Sequence, residues 1–230
     1  MTITFPALGN ALAADGVYPP QQDSQLLVET MERSALVPGR RVLDLCTGSG
    51  FVAIAAAEMG AASVTAFDIC PRAVRCSRGN AVEAGVDVDF REGSWTGALG
   101  CAPFDLIVSN PPYVPTRPEA DADLIPSSAG PEWAWNGGAN GRLVLDPLCE
   151  TAADFLSEGG SMLLVQSVFA DAEQSLRMLR STGMSAEVVA SQWIPFGPVL
   201  SAQADWLEEM GRLESGCRDE ELVVIRADKR

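Results

Sequence analysis

Apolar and polar positions along the chain follow two alternating periods. Short apolar runs of strand character fall at Arg41–Leu45, Ser63–Phe67, Val86–Phe90, Phe104–Ser109 and Ser161–Gln166, and segments with helical spacing fit between them at Phe51–Met59, Pro71–Ala84, Gly141–Leu156 and Ala170–Ser181. Strands separated by helices in this way predict βαβ units and a mostly parallel sheet, an α/β fold. An earlier helical pattern has Asp23 or Ser24 as N-cap and stops at Pro38-Gly39. Near the end the order changes. Ala186–Ser191 and Glu221–Ala227 are both strand-like and can pair antiparallel, enclosing a Trp-containing acidic helix around Ala202–Leu213. The Pro-rich stretch from Pro111 to Gly141, which holds Trp133 and Trp135, fits neither period. A segment this long without regular structure inside a compact domain is usually functional.

Composition narrows the chemistry. The 230 residues suit a single domain spanning 1–230, with 1–38 an N-terminal segment and helix and 39–230 the core. The formal charge of −15, from 31 acidic and 16 basic residues, repels phosphate backbones and argues against a nucleic-acid partner. The sequence has no His, which removes Ser-His-Asp and Cys-His triads and His-ligated metal sites. Lys229 is the only lysine, so lysine Schiff-base chemistry and a P-loop are excluded. The six Cys contain no C-x-x-C, several sit inside apolar runs as buried reduced thiols do, and no metal site is expected. The first Arg is Arg33, so no basic region precedes an apolar one, and no apolar run approaches a membrane-spanning length. The expectation is a cytoplasmic protein with no membrane attachment.

Three motifs carry candidate chemistry. Val42-Leu43-Asp44-Leu45-Cys46-Thr47-Gly48-Ser49-Gly50 leads from a strand into a helix, and glycines there let backbone approach a ligand that meets the helix N-terminus. Any tight turn of this kind favours Gly, and the dinucleotide fingerprint G-x-G-x-x-G fits poorly. Asp68 ends the second strand, where an acid accepts hydrogen bonds from ribose hydroxyls or simply caps the helix before Pro71. Asp44 is either a turn residue or the counter-charge to a bound amino acid. Taken together, these features describe an adenosyl amino-acid pocket. The third motif, Asn110-Pro111-Pro112-Tyr113, follows an apolar strand on the ligand side of a parallel sheet. Consecutive prolines make a rigid turn, on which the Asn110 amide and the Pro111 carbonyl can converge on one NH2 group beside the Tyr113 ring. A planar amide or exocyclic amine suits that arrangement.

These residues resemble class I S-adenosylmethionine-dependent methyltransferases acting on planar nitrogen. More narrowly, the chain resembles the HemK/PrmC family of protein-(glutamine-N5) methyltransferases, which act on the Gly-Gly-Gln loop of release factors. Val17-Tyr18-x-Pro20-x-x-Asp23-Ser24-x-Leu26-Leu27 is similar to the segment preceding that family's core, and Ala134-Trp135-x-Gly137-Gly138-x-Asn140-Gly141-Arg142 to its Trp-x-Gly-Gly-x-Asn-Gly loop. The resemblance runs over about residues 15–190 and returns at Glu221–Ala227. It implies a Rossmann-like class I fold, a seven-stranded mostly parallel sheet with a C-terminal antiparallel hairpin. It also implies S-adenosyl-L-methionine as cofactor, held by Ser24, Asp44, Cys46, Gly48, Gly50, Asp68, Ser94 and Trp95. Catalysis falls to Asn110, Pro111, Pro112 and Tyr113. The short branch, without the N-terminal helical domain, is the one it resembles, and some members of that branch act with a small zinc-binding activator protein.

Three departures matter. Cys46 stands at the first Gly of Gly-x-Gly-x-Gly, so its backbone must avoid strain or approach the ligand less closely. Ser94 stands where the family has Asp, so it brings no charge to the adenine amine. Gln192–Glu214 looks inserted between the last two strands. Alternative acceptors are a small molecule, then an adenine N6 amine or another protein side chain; a non-catalytic scaffold retaining the cofactor fold is the reading outside enzymes. Trp133 and Trp135 are core residues of a loop or a lid over the target. The helix at 202–213 sets Asp205, Glu208 and Glu209 opposite Trp206, Leu207 and Met210, covering the sheet or meeting a partner. Val86–Phe90 reads as an edge strand, its acids guarding that edge or leaving it open to an activator's strand.

Overall fold

The computed structural model describes residues 16–101, 103–118, 125 and 129–230. One seven-stranded sheet runs through it in the order β3-β2-β1-β4-β5-β7-β6. Its strands are β1 (Arg41–Leu45), β2 (Ser63–Asp68), β3 (Asp89–Glu92), β4 (Phe104–Ser109), β5 (Leu156–Ser167), β6 (Ser185–Pro195) and β7 (Asp219–Asp228). The first five are parallel, and β7 inserts antiparallel between β5 and β6. The helices are α1 (Gln22–Ser34), α2 (Phe51–Glu58), α3 (Pro71–Ala84), α4 (Leu145–Phe155), α5 (Ala172–Ser181) and α6 (Pro198–Glu209). Helix α1 packs on α2 and α2 on α3, while α4 packs on α5. The sheet class, the parallel order and the terminal hairpin are those expected from the hydrophobic pattern.

The central strands are apolar on both faces because helices cover both. Val42, Leu43, Leu45, Leu106, Ile107 and Val108 are all buried. Helix α2 is apolar almost all round, with Phe51 through Ala56 buried, as a helix wedged between a sheet and two neighbours must be. The chain leaves β1 towards β2 and β3 and returns to β4 on the other side, so the sheet order reverses between β1 and β4. Ligands in open α/β sheets bind at such a switch point, beyond the carboxyl ends of the strands. Register sets those ends level: Leu45 pairs with both Phe67 and Ser109, and Asp68 with Glu92. The turns after four strands therefore open onto one edge.

Several boundaries differ from the sequence reading, each for a local reason. Helix α4 begins at Leu145 rather than Gly141, because residues 137–143 are held in a tight turn by Gly141 N–H donating to Gly138 O and Leu143 N–H to Gly137 O. Strand β5 starts directly after α4, at Leu156, and the lone lysine joins the two: Lys229 Nζ donates to Ala153 O and Leu156 O, satisfying carbonyls at the helix C-terminus. Strand β3 is displaced to Asp89–Glu92 but lies at the sheet edge, as expected. Helix α6 starts at Pro198, a residue preorganised for the first helical position, and stops at Met210 before Gly211 at φ +67°. Among the described residues, no helix is long and apolar enough to cross a membrane.

Candidate active site

The turn after β1 is built for close approach. Gly48 has φ +55° and Gly50 φ +84°, and a Cβ on Gly50 would lie 2.8 Å from Ser77 Cβ. Gly50 is therefore required by space as well as by backbone. Cys46 does not avoid the left-handed region: its φ is +63°, because the chain must turn sharply off β1 for Thr47 N–H to reach Phe67 O at 3.1 Å. A side chain in that conformation costs about 1–2 kcal/mol relative to glycine. Its thiol is pushed up by burial, with the Asp68 and Asp44 carboxylates adding to the effect, so it stays neutral.

Asp44 is 1% exposed. Its carboxylate accepts from Thr47 Oγ1 at 2.6 Å and from the Ala53 amide in the first turn of α2. Burial nevertheless raises it to about 7, and the nearby Asp68 pushes the same way. Asp68 is anchored by two backbone amides, Gly48 N–H to Oδ2 and Cys70 N–H to Oδ1, both at 2.8 Å. Each carboxylate oxygen keeps a lone pair for a further donor. Burial raises Asp68 as well. Next to it, Gly93 N–H donates to Asp68 O at 2.9 Å and brings Ser94 to the same edge. Ser94 Oγ is exposed and accepts from Thr96, while the Trp95 ring meets Phe155 edge-on at 6.0 Å.

The Asn110–Tyr113 turn lies across from these acids and is held at both ends by consecutive residues of α1. Asn110 Nδ2 donates to Ser24 Oγ at 3.1 Å, and Tyr113 OH donates to Asp23 Oδ2 at 3.0 Å. Ser24 N–H closes the motif by donating to Asp23 Oδ1 at 2.6 Å. With one N–H of its amide donated to Ser24, Asn110 keeps its carbonyl oxygen available as an acceptor. Tyr113 is 8% exposed, and its phenol is held far above the ordinary range by burial and then by Asp23, Glu220 and Tyr18. The residue after it is strapped down: Val114 N–H donates to Trp135 O and Gly137 N–H to Val114 O. A Cβ on Gly141 would lie 2.5 Å from Tyr113 O, and one on Gly137 2.8 Å from Tyr113 C. The 135–142 motif is thus a scaffold for the Asn110–Tyr113 turn. Arg142 at its end is 2% exposed and spends its guanidinium on Asp146, Ala170 O and Ser175 Oγ.

Both halves open onto one cavity of about 220 Å³. Every site residue expected from the sequence lines it except Gly50, which acts through packing beneath. Both loop tryptophans line the cavity but differ in setting: Trp135 is buried and donates to Gly130 O, whereas Trp133 is 55% exposed. Sequence reasoning gave Asp23 as a helix cap and as part of the Val17–Leu27 motif, with no role in the cavity, and passed over Glu220. Asp23 lines the cavity; Glu220, 7% exposed, is raised to about 7 by burial, offset by a Ser167 hydrogen bond and reinforced by Asp23. The placement of Asp23 between Tyr18 and Ser24 in one motif was the available signal. Across the site, the donor set fits an adenosyl amino acid: free acceptor capacity on Asp68, an open Gly turn, and a buried carboxylate at Asp44 whose nearest charge is another carboxylate. A ligand ammonium would offset that burial.

Residues 12–126 match the methyltransferase small domain family. A Methanocaldococcus jannaschii protein named as a protein N5-glutamine methyltransferase is 30% identical, over 82% of this chain and 91% of its own length. The release factor glutamine methyltransferase of Deinococcus radiodurans is 40% identical over 76% of this chain, which spans 62% of that relative. Among solved structures, the E. cuniculi Mtq2–Trm112 complex, responsible for methylation of the translation termination factor eRF1, matches with a TM-score of 0.61 and 21% identity. That match covers 94% of this chain and 99% of the other. The T. thermophilus 16S rRNA N2 G1207 methyltransferase, solved with AdoMet and guanosine, has a TM-score of 0.58 and 21% identity over 92% of this chain and 44% of its own.

Proposed function

As the chain belongs to the methyltransferase small domain family, among the protein N5-glutamine methyltransferases, we propose that its acceptor is a glutamine side chain on a release-factor Gly-Gly-Gln loop. The protein is an S-adenosylmethionine-dependent methyltransferase. One observation carries the assignment of the acceptor: the Asn110–Tyr113 turn is clamped by Ser24 and Asp23, with Asn110 held through its amide nitrogen so that its oxygen is left to accept.

The bound cofactor supplies an electrophilic methyl group on a sulfonium. Asp68 would hold its ribose hydroxyls, Asp44 would face its ammonium, and the Gly48 turn would admit its amino-acid end. On the acceptor side the difficulty is electronic, because an amide nitrogen has a delocalised lone pair. Asn110 Oδ1 and the Pro111 carbonyl accept hydrogen bonds from the NH2 group, which fixes its orientation and raises electron density on nitrogen. Tyr113, unable to turn while bonded to Asp23, offers its ring to the planar group. Trp133 at the rim covers the cavity once an extended loop has entered. Glycines beside the acceptor suit so narrow a mouth, having no side chains to clash. Preorganisation and alignment supply the catalysis.

A small zinc-binding partner of the kind implied by the resemblance would add a strand at the exposed β3 edge, which carries Asp89 and Glu92. The neighbouring structure's pairing with Trm112 supports a second protein of this type. Mass spectrometry of a release factor and of a Gly-Gly-Gln peptide, with and without a candidate partner, should show one methyl group added on Gln. Absence of that gain in every combination, with methylation of a small metabolite instead, overturns the glutamine assignment.

A further inference from the structure

The segment between β6 and β7 does not simply cover the sheet. Gln203 of α6 is 3% exposed, and its Oε1 accepts from Arg117 N–H at 3.1 Å, four residues beyond Tyr113. Arg212, just past α6, donates to Ala139 O at 3.0 Å, Asn140 O at 3.4 Å and Phe169 O at 3.0 Å. The first two carbonyls belong to the loop whose glycines press on Tyr113. Val199 packs with Ala129 and Trp135, and Leu200, Ala204, Leu207 and Leu213 form an apolar cluster against which Val114 rests. Phe196, at the entry to α6, meets Phe169 edge-on at 5.8 Å. Apart from the two to Phe169, in the turn that follows β5, these contacts fall on the chain between Tyr113 and Arg142 that carries the acceptor side of the cavity.

We propose that Gln203 and Arg212 are positioning residues, through which the inserted α6 segment fixes the Val114–Arg117 strap and the Trp135–Arg142 loop and so sets the width of the acceptor mouth. Both act through backbone atoms of other residues. A buried carbonyl acceptor and a three-carbonyl guanidinium clamp are geometrically demanding, since lysine cannot reproduce the planar fork. Loss of either frees the loop without touching the β1 turn or Asp68. The kinetic consequence is confined to the acceptor.

The inference rests on the glutamine reading only for its kinetic arm. Arg212→Ala and Gln203→Ala, made in the full chain, should raise KM for a Gly-Gly-Gln peptide roughly five- to tenfold, as loss of one or two hydrogen bonds does, with S-adenosylmethionine affinity unchanged. Gln203→Glu keeps an acceptor for Arg117 N–H and should recover most of the loss. Hydrogen exchange judges the same point without any acceptor. In Arg212→Ala the amides of Val114, Thr116, Gly137 and Leu143, all bonded within this loop pair, should exchange faster, while Thr47 and Gly48 keep wild-type protection. Unchanged exchange in both variants, or exchange raised uniformly across the protein, overturns the proposal. A wild-type protein that fails to methylate any Gln peptide overturns the glutamine reading instead and leaves the exchange result to decide this one.

Discussion

At the scale of single residues, burial raises three carboxyls at and beside the site, Asp44, Asp68 and Glu220. Asp44 sits near 7 because burial penalises its charge, and the helix and threonine donors only partly offset this. The sign follows directly. A carboxyl raised in the folded state favours the protonated form, so its contribution to stability is full below the unfolded pKa and is lost as pH rises through about 7. A cationic ligand group reverses the preference. Binding of S-adenosylmethionine near neutral pH should therefore release a proton, and affinity should climb as pH is raised through that range. Calorimetry in buffers of different ionisation enthalpy measures the release directly, and Asp44→Asn should abolish it while raising the ligand-free melting temperature above pH 8. Asp68→Ala should weaken cofactor binding by about 1.5–3 kcal/mol, the scale of hydrogen bonds to a charged group, and titration calorimetry on folded protein reads it. Asn110→Ala separates binding from chemistry: turnover should fall about 10²-fold, as for removal of a preorganised polar contact, with cofactor affinity intact. Asn110 and Tyr113 were legible because Asn-Pro-Pro-Tyr has no purely structural reason to end a strand. The hydrogen bonds that Asp23 and Ser24 accept were not, since they link positions 23 and 24 to 113 and 110, and only the fold brings those together.

At the scale of elements, period and punctuation located the strands and α-helices that frame the cavity, missed the short 3-10 helices at Trp95–Cys101 and Glu132–Ala134, and left tertiary contacts to set the ends. The helix expected from Gly141 begins at Leu145, because its first residues are claimed by a turn whose partner is the Tyr113 backbone. No local signal in 137–144 reveals that partner. Helix α6 was legible as an amphipathic segment, yet its apolar side faces Val114 and Phe169 rather than simply lying on the sheet. Amphipathicity reports that a face is covered and not what covers it. Gly141 makes the point testable. A Cβ there meets Tyr113 O at 2.5 Å with φ already at +76°, so neither rotamer nor backbone relieves the clash. Gly141→Ala should cost about 2–3 kcal/mol of stability, the range for overpacking, and should depress turnover beyond the loss of folded protein. Gly39→Ala is the control: φ is +72° but nothing lies within 4 Å, so only a smaller conformational cost of about 1 kcal/mol is expected. Denaturation in urea, with kcat measured per folded molecule, separates the two.

At the scale of the whole molecule, the outstanding property is charge. A net −15 over 230 residues sets up a field that repels polyanions and attracts basic partners. Most of the basic side chains are already engaged, Arg142 in the interior and Arg91 and Arg218 in surface pairs with Asp89, Glu208 and Asp205. The exposed acids of α6, Asp205 and Glu209 among them, lie on the helix that also carries Gln203. An acceptor protein approaching that face would be steered by the same charges that surround its destination. Steering of this kind acts on encounter and is screened over a Debye length of about 10 Å at 0.1 M salt, shrinking to about 3 Å at 1 M. In the proposed arrangement the chemical step, enclosed among Asn110, Tyr113 and the buried acids, would be shielded from such screening. Raising ionic strength from about 0.05 to 0.5 M should therefore raise KM for a release factor several-fold while kcat stays within about twofold. A short uncharged Gly-Gln peptide, which has no long-range field to screen, should show little change in either constant. Equal salt sensitivity for the protein and the peptide would place the charge effect inside the cavity and not in the encounter.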